Sequence, residues 1–291
     1  MSQLFKHNTS IIRSLGDCAD NADPQPSLTL WENHDRQLSC YYAPFEHVNT
    51  RAKIVLIGIT PGRTQMNRAL SAASRAVNSQ ADVQQAIAEV KRIGSFSGNM
   101  RPNLVNTLNK LGYQKKLGIT CCSELWAERN DLVDFCSLLT YPVFVKGRDY
   151  NGMPHPMKVP ELKTMLVDEF ANRLQSIPAD AELVPLGELV ANVLSELDDM
   201  GLVPQTITRI NNKVVAPPHP SGANAESIAL LLSESYPERD VYLEKMYQEY
   251  LGKRGWEKRA GGKPQSEEKY KTARASRWES MLQVRKAYGI G

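Results

Sequence analysis

Residues 214–227 read VVAPPHPSGANAES: an apolar run ends in Pro217 and Pro218, a histidine follows, and then another proline and small residues. Proline fixes the backbone and donates no N–H, so a strand stops there. His219 is therefore presented on a stiff loop with little bulk around it. An imidazole so placed serves as a proton or hydrogen-bond donor near neutral pH. A histidine that only ties down its own loop is the plain alternative. A second loop of unusual composition, GITPGRT (58–64), follows the apolar run AKIVLIGI. A phosphate-cradling Walker loop needs four residues between its glycines and then Lys-Ser/Thr. Three residues intervene here, one is Pro61, and Arg63 stands where the lysine belongs, so a nucleoside triphosphatase is not supported. A serine hydrolase is dismissed as well, because no G-x-S-x-G elbow occurs.

The elements that must position these loops alternate in type. AKIVLIGI (52–59) has the continuous Ile/Val-rich character of a strand buried on both faces. CSLLTYPVFV (136–145), AELVPLG (181–187) and NKVVAP (212–217) read as three more buried strands, and SLTLW and LSCYYAPF near the N-terminus as one or two further ones. Residues 66–92 and 103–111 read as helices. A helix opened by Pro160 carries Leu162, Met165, Leu166, Phe170, Leu174 and Ile177 on one face, and another follows Gly187. Asn224 is placed to cap a last helix with Ile228, Leu231 and Leu232. Strands alternating with amphipathic helices predict a mostly parallel sheet covered on both faces, with the ligand site beyond the carboxyl ends of its strands. Both unusual loops fall there.

Composition narrows the classes further. The chain has 291 residues, 42% of them hydrophobic, which suffices for a large core. No apolar run approaches the ~18 residues of a membrane span, and the first residues lack a secretory leader's apolar core. Five cysteines, without a C-x-x-C pair, argue against a disulfide framework or zinc site and for a reducing cytoplasm. The net charge of +3 is uneven: residues 252–291 hold eleven Lys/Arg against four Glu, a surplus of seven that leaves −4 elsewhere. Trp256, Tyr270, Trp278 and Tyr288 lie among those charges. Such interleaving suits nucleic acid, and it equally describes a solvated helix docked weakly on the core. Gly261-Gly262 marks a break before the final basic helix. The expected organisation is an N-terminal extension packed on the core (1–50), an α/β domain (51–251) and a basic helical tail (252–291).

Taken together, five segments in order resemble the uracil-DNA glycosylase superfamily: GITPG after the first core strand, GSFSGNMRPNLVNTLNKLG (94–112), VFVKG (143–147), LVPLGELVANVL (183–194) and HPS (219–221). The likeness covers roughly residues 51–235. It implies a three-layer α/β/α sandwich around a central, mainly parallel four-stranded sheet. It also implies cofactor-free hydrolysis of an N-glycosidic bond in DNA, after the base has been flipped from the stack.

The resemblance also assigns roles. His219 would stabilise the anionic leaving base. Phe96 would stack on the flipped base, unless it is a plain core phenylalanine. Gly58, Ile59, Pro61 and Gly62 would shape the pocket floor. Pro220, Ser221, Gly222 and Asn224 would approach the DNA backbone, and Arg63 is a further phosphate contact or an ordinary surface arginine. The sequence also departs from the family pattern. Thr60 stands where two branches carry a water-activating Asp or Asn. Asn99 stands where others carry a carboxylate, so Asn99 assisted by Thr60 is the expected water-positioning pair, with Asp149 an outside candidate. Aligning VFVKG puts Val143 at the place of the asparagine that reads uracil. A base other than uracil is therefore expected, a modified pyrimidine such as a modified cytosine of phage or foreign DNA. No lysine other than Lys146 lies obviously near, so strand-cleaving lyase activity is not expected. Cys18 and Cys40 are far apart and Gly147 replaces a cluster cysteine, so no iron–sulfur cluster, no metal and no cofactor are expected. DNA is the expected partner and a monomer the expected state. The alternatives are a uracil-DNA glycosylase of base-excision repair and a catalytically silent DNA-binding member of the fold.

Overall fold

A computed structural model of the chain describes residues 3–79, 83–253 and 264–290. The predicted break at Gly261-Gly262, together with Trp256, Arg254, Lys258, Arg259 and Lys263 of the basic segment, lies outside the described residues.

The chain begins with helix α1 (Gln3–Leu15) and a hairpin of β1 (Thr29–Asn33) and β2 (Leu38–Tyr41), then enters β3 (Ile54–Gly58). Helices α2 (Arg63–Asn78), α3 (Val83–Gly94), α4 (Met100–Lys110) and the single turn α5 (Tyr113–Lys116) separate β3 from β4 (Val133–Ser137). Short strands β5 (Val143–Val145) and β6 (Arg148–Asp149) follow. Helix α6 (Pro160–Thr164) runs through a π-helical turn, Met165–Phe170, into α7 (Ala171–Gln175). Then come β7 (Glu182–Pro185), α8 (Glu188–Asp199), β8 (Thr206–Ile207) and the hairpin β9 (Arg209–Ile210) and β10 (Lys213–Val214). Helices α9 (Ala225–Leu232), α10 (Arg239–Gly252) and α11 (Glu267–Ala287) close the described chain.

The fold is mixed α/β. Its main sheet is parallel and four-stranded, in the order β4-β3-β7-β8, with Gly58 level with Ser137 and Ile57 with Pro185. Alternate side chains of these strands feed two cores. Val55, Ile57, Cys136 and Leu183 pack against α1, α2, α3, the α6–α7 helix and α8. Ile54, Leu56, Phe135 and Val184 pack against α4, α9, α10 and α11. A strand buried on both faces shows no alternation in sequence, which is why β3 reads as one apolar run. Among the described residues no helix is long and apolar enough to cross a membrane.

Two predicted strands are corrected. CSLLTYPVFV is not one strand: β4 begins earlier, at Val133, and ends at Ser137, whereas β5 pairs antiparallel with β2 in a second sheet of order β1-β2-β5-β6. Pro142 between them supplies no N–H to a continuing ladder. The run at 212–217 is not the fourth parallel strand either. Asn211 and Asn212 both hold positive φ, 49° and 63°, and turn β9 back into β10, while the sheet position belongs to β8. The helical span 66–92 is covered by two helices, α2 and α3. The basic C-terminal helix is no loose tail. Tyr270, Met281 and Val284 of α11 are buried, Arg274 and Arg277 pair with Glu226, and Arg285, 1% exposed, donates to the carbonyls of Leu231 and Ser233.

Candidate active site

A cavity of about 430 Å³ opens where β3 and β4 end, between the two loops singled out by composition. Its wall includes Gly58, Thr60, Phe96, Ser137, Asp149 and His219.

The first loop is built for close approach. A Cβ on Gly58 would stand 3.6 Å from the Phe96 ring, so any longer side chain would push that ring aside. Phe96 is 5% exposed, leans on Phe135 at 6.3 Å between ring centres, and holds φ at +48°. A bulky residue in that conformation is uncommon and tends to occur where geometry serves a site. At Gly62 a Cβ would sit 2.7 Å from Asp149 Oδ2. Asp149 Oδ1 accepts the Arg63 N–H at 3.1 Å, and Gln65 Oε1 accepts that of Gly62 at 2.9 Å, so the first N–H groups of α2 are satisfied by side chains. Among the cavity residues Asp149 is the only carboxylate.

The second loop fixes the histidine tautomer. The Ser221 N–H donates to His219 Nδ1 at 3.3 Å. Burial holds the imidazole below its usual pKa, so the ring is neutral at pH 7 and its proton sits on Nε2. The loop is held from both sides: Gly187 N–H donates to Pro217 O at 2.8 Å, and Asn103 of α4 donates to Pro220 O at 2.9 Å. Gly187 adopts φ +98°, and a Cβ there would stand 3.4 Å from His219 Cβ. Asn224 precedes α9, but its amide donates to Ser221 Oγ at 3.1 Å rather than capping the helix.

The chain is similar to the uncharacterized protein YoxB of Bacillus subtilis (strain 168), 31% identical over 198 residues that cover 67% of this chain and 75% of YoxB. The chain belongs to the YoxB family. No family model matches it. No solved structure matches it either.

In this member of the YoxB family the structure gathers most, not all, of the residues expected at the site. Gly58, Ile59, Thr60, Pro61, Gly62, Phe96, His219, Ser221 and Asn224 line the cavity. Asn99 does not: positive φ at Phe96 and Gly98 turns the chain so that Ser95, Phe96 and Met100 reach the cavity while Asn99 is exposed at the start of α4. Val143 lies buried in β5, away from the cavity, because VFVKG belongs to the second sheet. The strand beside β3 ends at Ser137, level with Gly58, and that serine lines the cavity. Thr60 is largely committed: its hydroxyl donates to Tyr141 O at 2.9 Å and accepts the Val143 N–H at 3.1 Å, leaving one lone pair. Arg63 is tied down by Asp23, by Gly147 O at 2.6 Å and by the Phe144 ring at 5.2 Å. Gly222 is exposed, with nothing within 4 Å of a Cβ built there.

The reading from sequence missed Ser137, Lys91 and Arg173. Lys91 and Arg173 meet Asp134, a carboxylate inside the apolar strand VDFCS. A charge in such a strand was the available signal, since an aspartate buried there must be paired.

Proposed function

We propose that this protein is a DNA glycosylase that takes a flipped, non-standard pyrimidine into the cavity beneath His219 and hydrolyses its N-glycosidic bond. The observation that carries the reading is a neutral histidine whose Nε2–H has no acceptor among the described residues and a phenylalanine held at positive φ, both lining one cavity at the carboxyl ends of β3 and β4. In this reading the two groups of helices and the parallel sheet between them are the layers of an α/β/α sandwich.

Flipping costs about a few kcal/mol, offset by stacking on Phe96. As the C–N bond breaks, its electron pair leaves with the base, and His219 Nε2–H donates to the negative charge that develops. Water attacks the anomeric carbon from the Asp149 side; Asp149 takes its proton, and the remaining lone pair of Thr60 orients it. Asp149 thus replaces Asn99 as the water-positioning group, because it borders the cavity. Backbone around Gly222 leaves room for a phosphate. Ser137 supplies a single hydroxyl where a uracil edge asks for an amide, which supports a base other than uracil. The cavity volume falls in the range of drug-sized ligands, ~300–1,000 Å³, which supports a substituted ring.

A catalytically silent DNA-binding protein is the second reading, favoured by the committed hydroxyl of Thr60. The deciding experiment is release in EDTA from DNAs carrying uracil, hydroxymethylcytosine or glucosylated hydroxymethylcytosine, with abasic sites read by alkaline cleavage. Abasic sites in a modified DNA, lost in His219→Ala, are expected. No abasic site in any DNA, with DNA binding retained, would leave the silent reading.

A further inference from the structure

The inner wall of the same cavity carries two cations, Lys91 from α3 and Arg173 from α7, only 4% and 8% exposed. They share one carboxylate. Lys91 Nζ lies 3.1 Å from Asp134 Oδ1 and also donates to His47 O. Arg173 Nη2 donates to Asp134 Oδ2 at 2.5 Å and to His47 O at 2.6 Å, and Nη1 to Glu46 O at 3.4 Å. Asp134 is 1% exposed and also accepts the Asn49 N–H. The three side chains therefore carry a net charge of +1 in the interior.

Their donors are not all used. An ammonium has three N–H groups and a guanidinium five. Among the described residues two of the first and three of the second have oxygen acceptors, the Cys136 thiol is a further partner of the guanidinium, and Arg173 Nε is buried with no oxygen acceptor. A buried donor without an acceptor and an uncompensated buried charge both cost free energy. Each is relieved by the same thing, a single negative charge with two or more acceptor oxygens. Burial, and after it the neighbouring guanidinium, lowers the Lys91 pKa to about 8, and Asp134 opposes the shift.

We infer that Lys91 and Arg173 form an anion subsite that selects a base bearing a carboxylate-type substituent. This rests on the glycosylase reading for the base, though not for the subsite itself. A carboxylate accepts charge-assisted bonds, while a neutral amide of the same shape offers one oxygen and no charge.

The experiment is calorimetric titration of the full chain with 5-carboxy-2′-deoxycytidine and with its neutral 5-carbamoyl analogue, repeated on Lys91→Gln, alongside base release from DNAs carrying either group. The acid is expected to bind at least about tenfold tighter than the amide. Lys91→Gln, with its melting temperature checked, is expected to shrink that preference to about threefold or less. Equal binding of acid and amide, or no binding of the acid, overturns the subsite, and this comparison needs no variant. An unchanged preference in a folded Lys91→Gln overturns it too. Preferential binding of the acid with no base released from any DNA keeps the subsite and removes the glycosylase reading. Release from other DNAs without any preference for the acid does the reverse.

Discussion

Asp149 Oδ2 stands 2.7 Å from the point where Gly62 would carry a Cβ, so any side chain at position 62 requires the carboxylate from β6 to move away from the loop after β3. The contact joins the second, antiparallel sheet to the mouth of the parallel one. It holds a carboxylate at the N-terminus of α2, where the helix dipole and the Arg63 N–H favour negative charge.

Gly62→Ala is therefore expected to displace Asp149, lowering stability by about 1 kcal/mol through the lost cap and activity by more. Asp149→Asn keeps the shape and removes the base. Its melting temperature is expected to stay within a few degrees while the rate of base release falls about 10²–10⁴-fold. Single-turnover release rates beside thermal melts check both.

His219→Ala is expected to cost about 10²–10³-fold in release rate. The pH dependence follows from burial. The folded imidazole titrates below its usual ~6.5, so the neutral ring, and with it release, is expected to persist as pH drops past 6.5. Stability has the same sign. The unfolded chain takes up the proton first, so the contribution is complete above about 6.5 and is lost as pH falls toward the folded value. A pH–rate profile of wild type, compared with that of His219→Ala, separates the two effects.

Thr60 holds Tyr141 and Val143, and Asn99 is exposed outside the cavity. Thr60→Val is expected to cost about 1–3 kcal/mol of stability, since a buried N–H and a carbonyl lose their partner. Asn99→Ala is expected to change neither stability nor release rate measurably. Urea melts and release assays on the two variants check this, and a large rate loss in Asn99→Ala with normal melting would return the water-positioning role to that residue.

Helix α11 supplies Met281 and Val284 to the core that also holds Leu56, Phe135 and Val184, and Arg285 secures the carbonyls at the end of α9. Truncation before Ser266 is expected to lower the melting temperature by more than 10 °C or to give insoluble protein, since several buried side chains worth about 1.5–3 kcal/mol each are lost. A soluble, equally stable truncation would make the helix an appendage.

Local pattern was enough for much of this. The apolar run into Gly58, the stripe Leu162–Phe170–Leu174 and the proline-bound His219 each follow from residue periodicity or from proline chemistry, which act within a few residues. The meeting of the Gly58 and His219 loops was expected from a parallel arrangement, although the run before His219 lies in a hairpin outside that sheet, and Phe96 was expected beside them only from the family resemblance. What the chain's order did not reveal was pairing. Whether Val143 or Ser137 ends the strand beside β3 depends on which backbone edge each segment meets, and both segments are apolar. The same holds for β8 against the 212–217 run, where two asparagines in the left-handed region turned a strand-like stretch into a hairpin. The convergence of Lys91, Asp134 and Arg173, from α3, β4 and α7, was likewise decided only in three dimensions. A buried charge must be paired, but sequence alone does not say which residues, here 43 and 39 positions away, will arrive beside it.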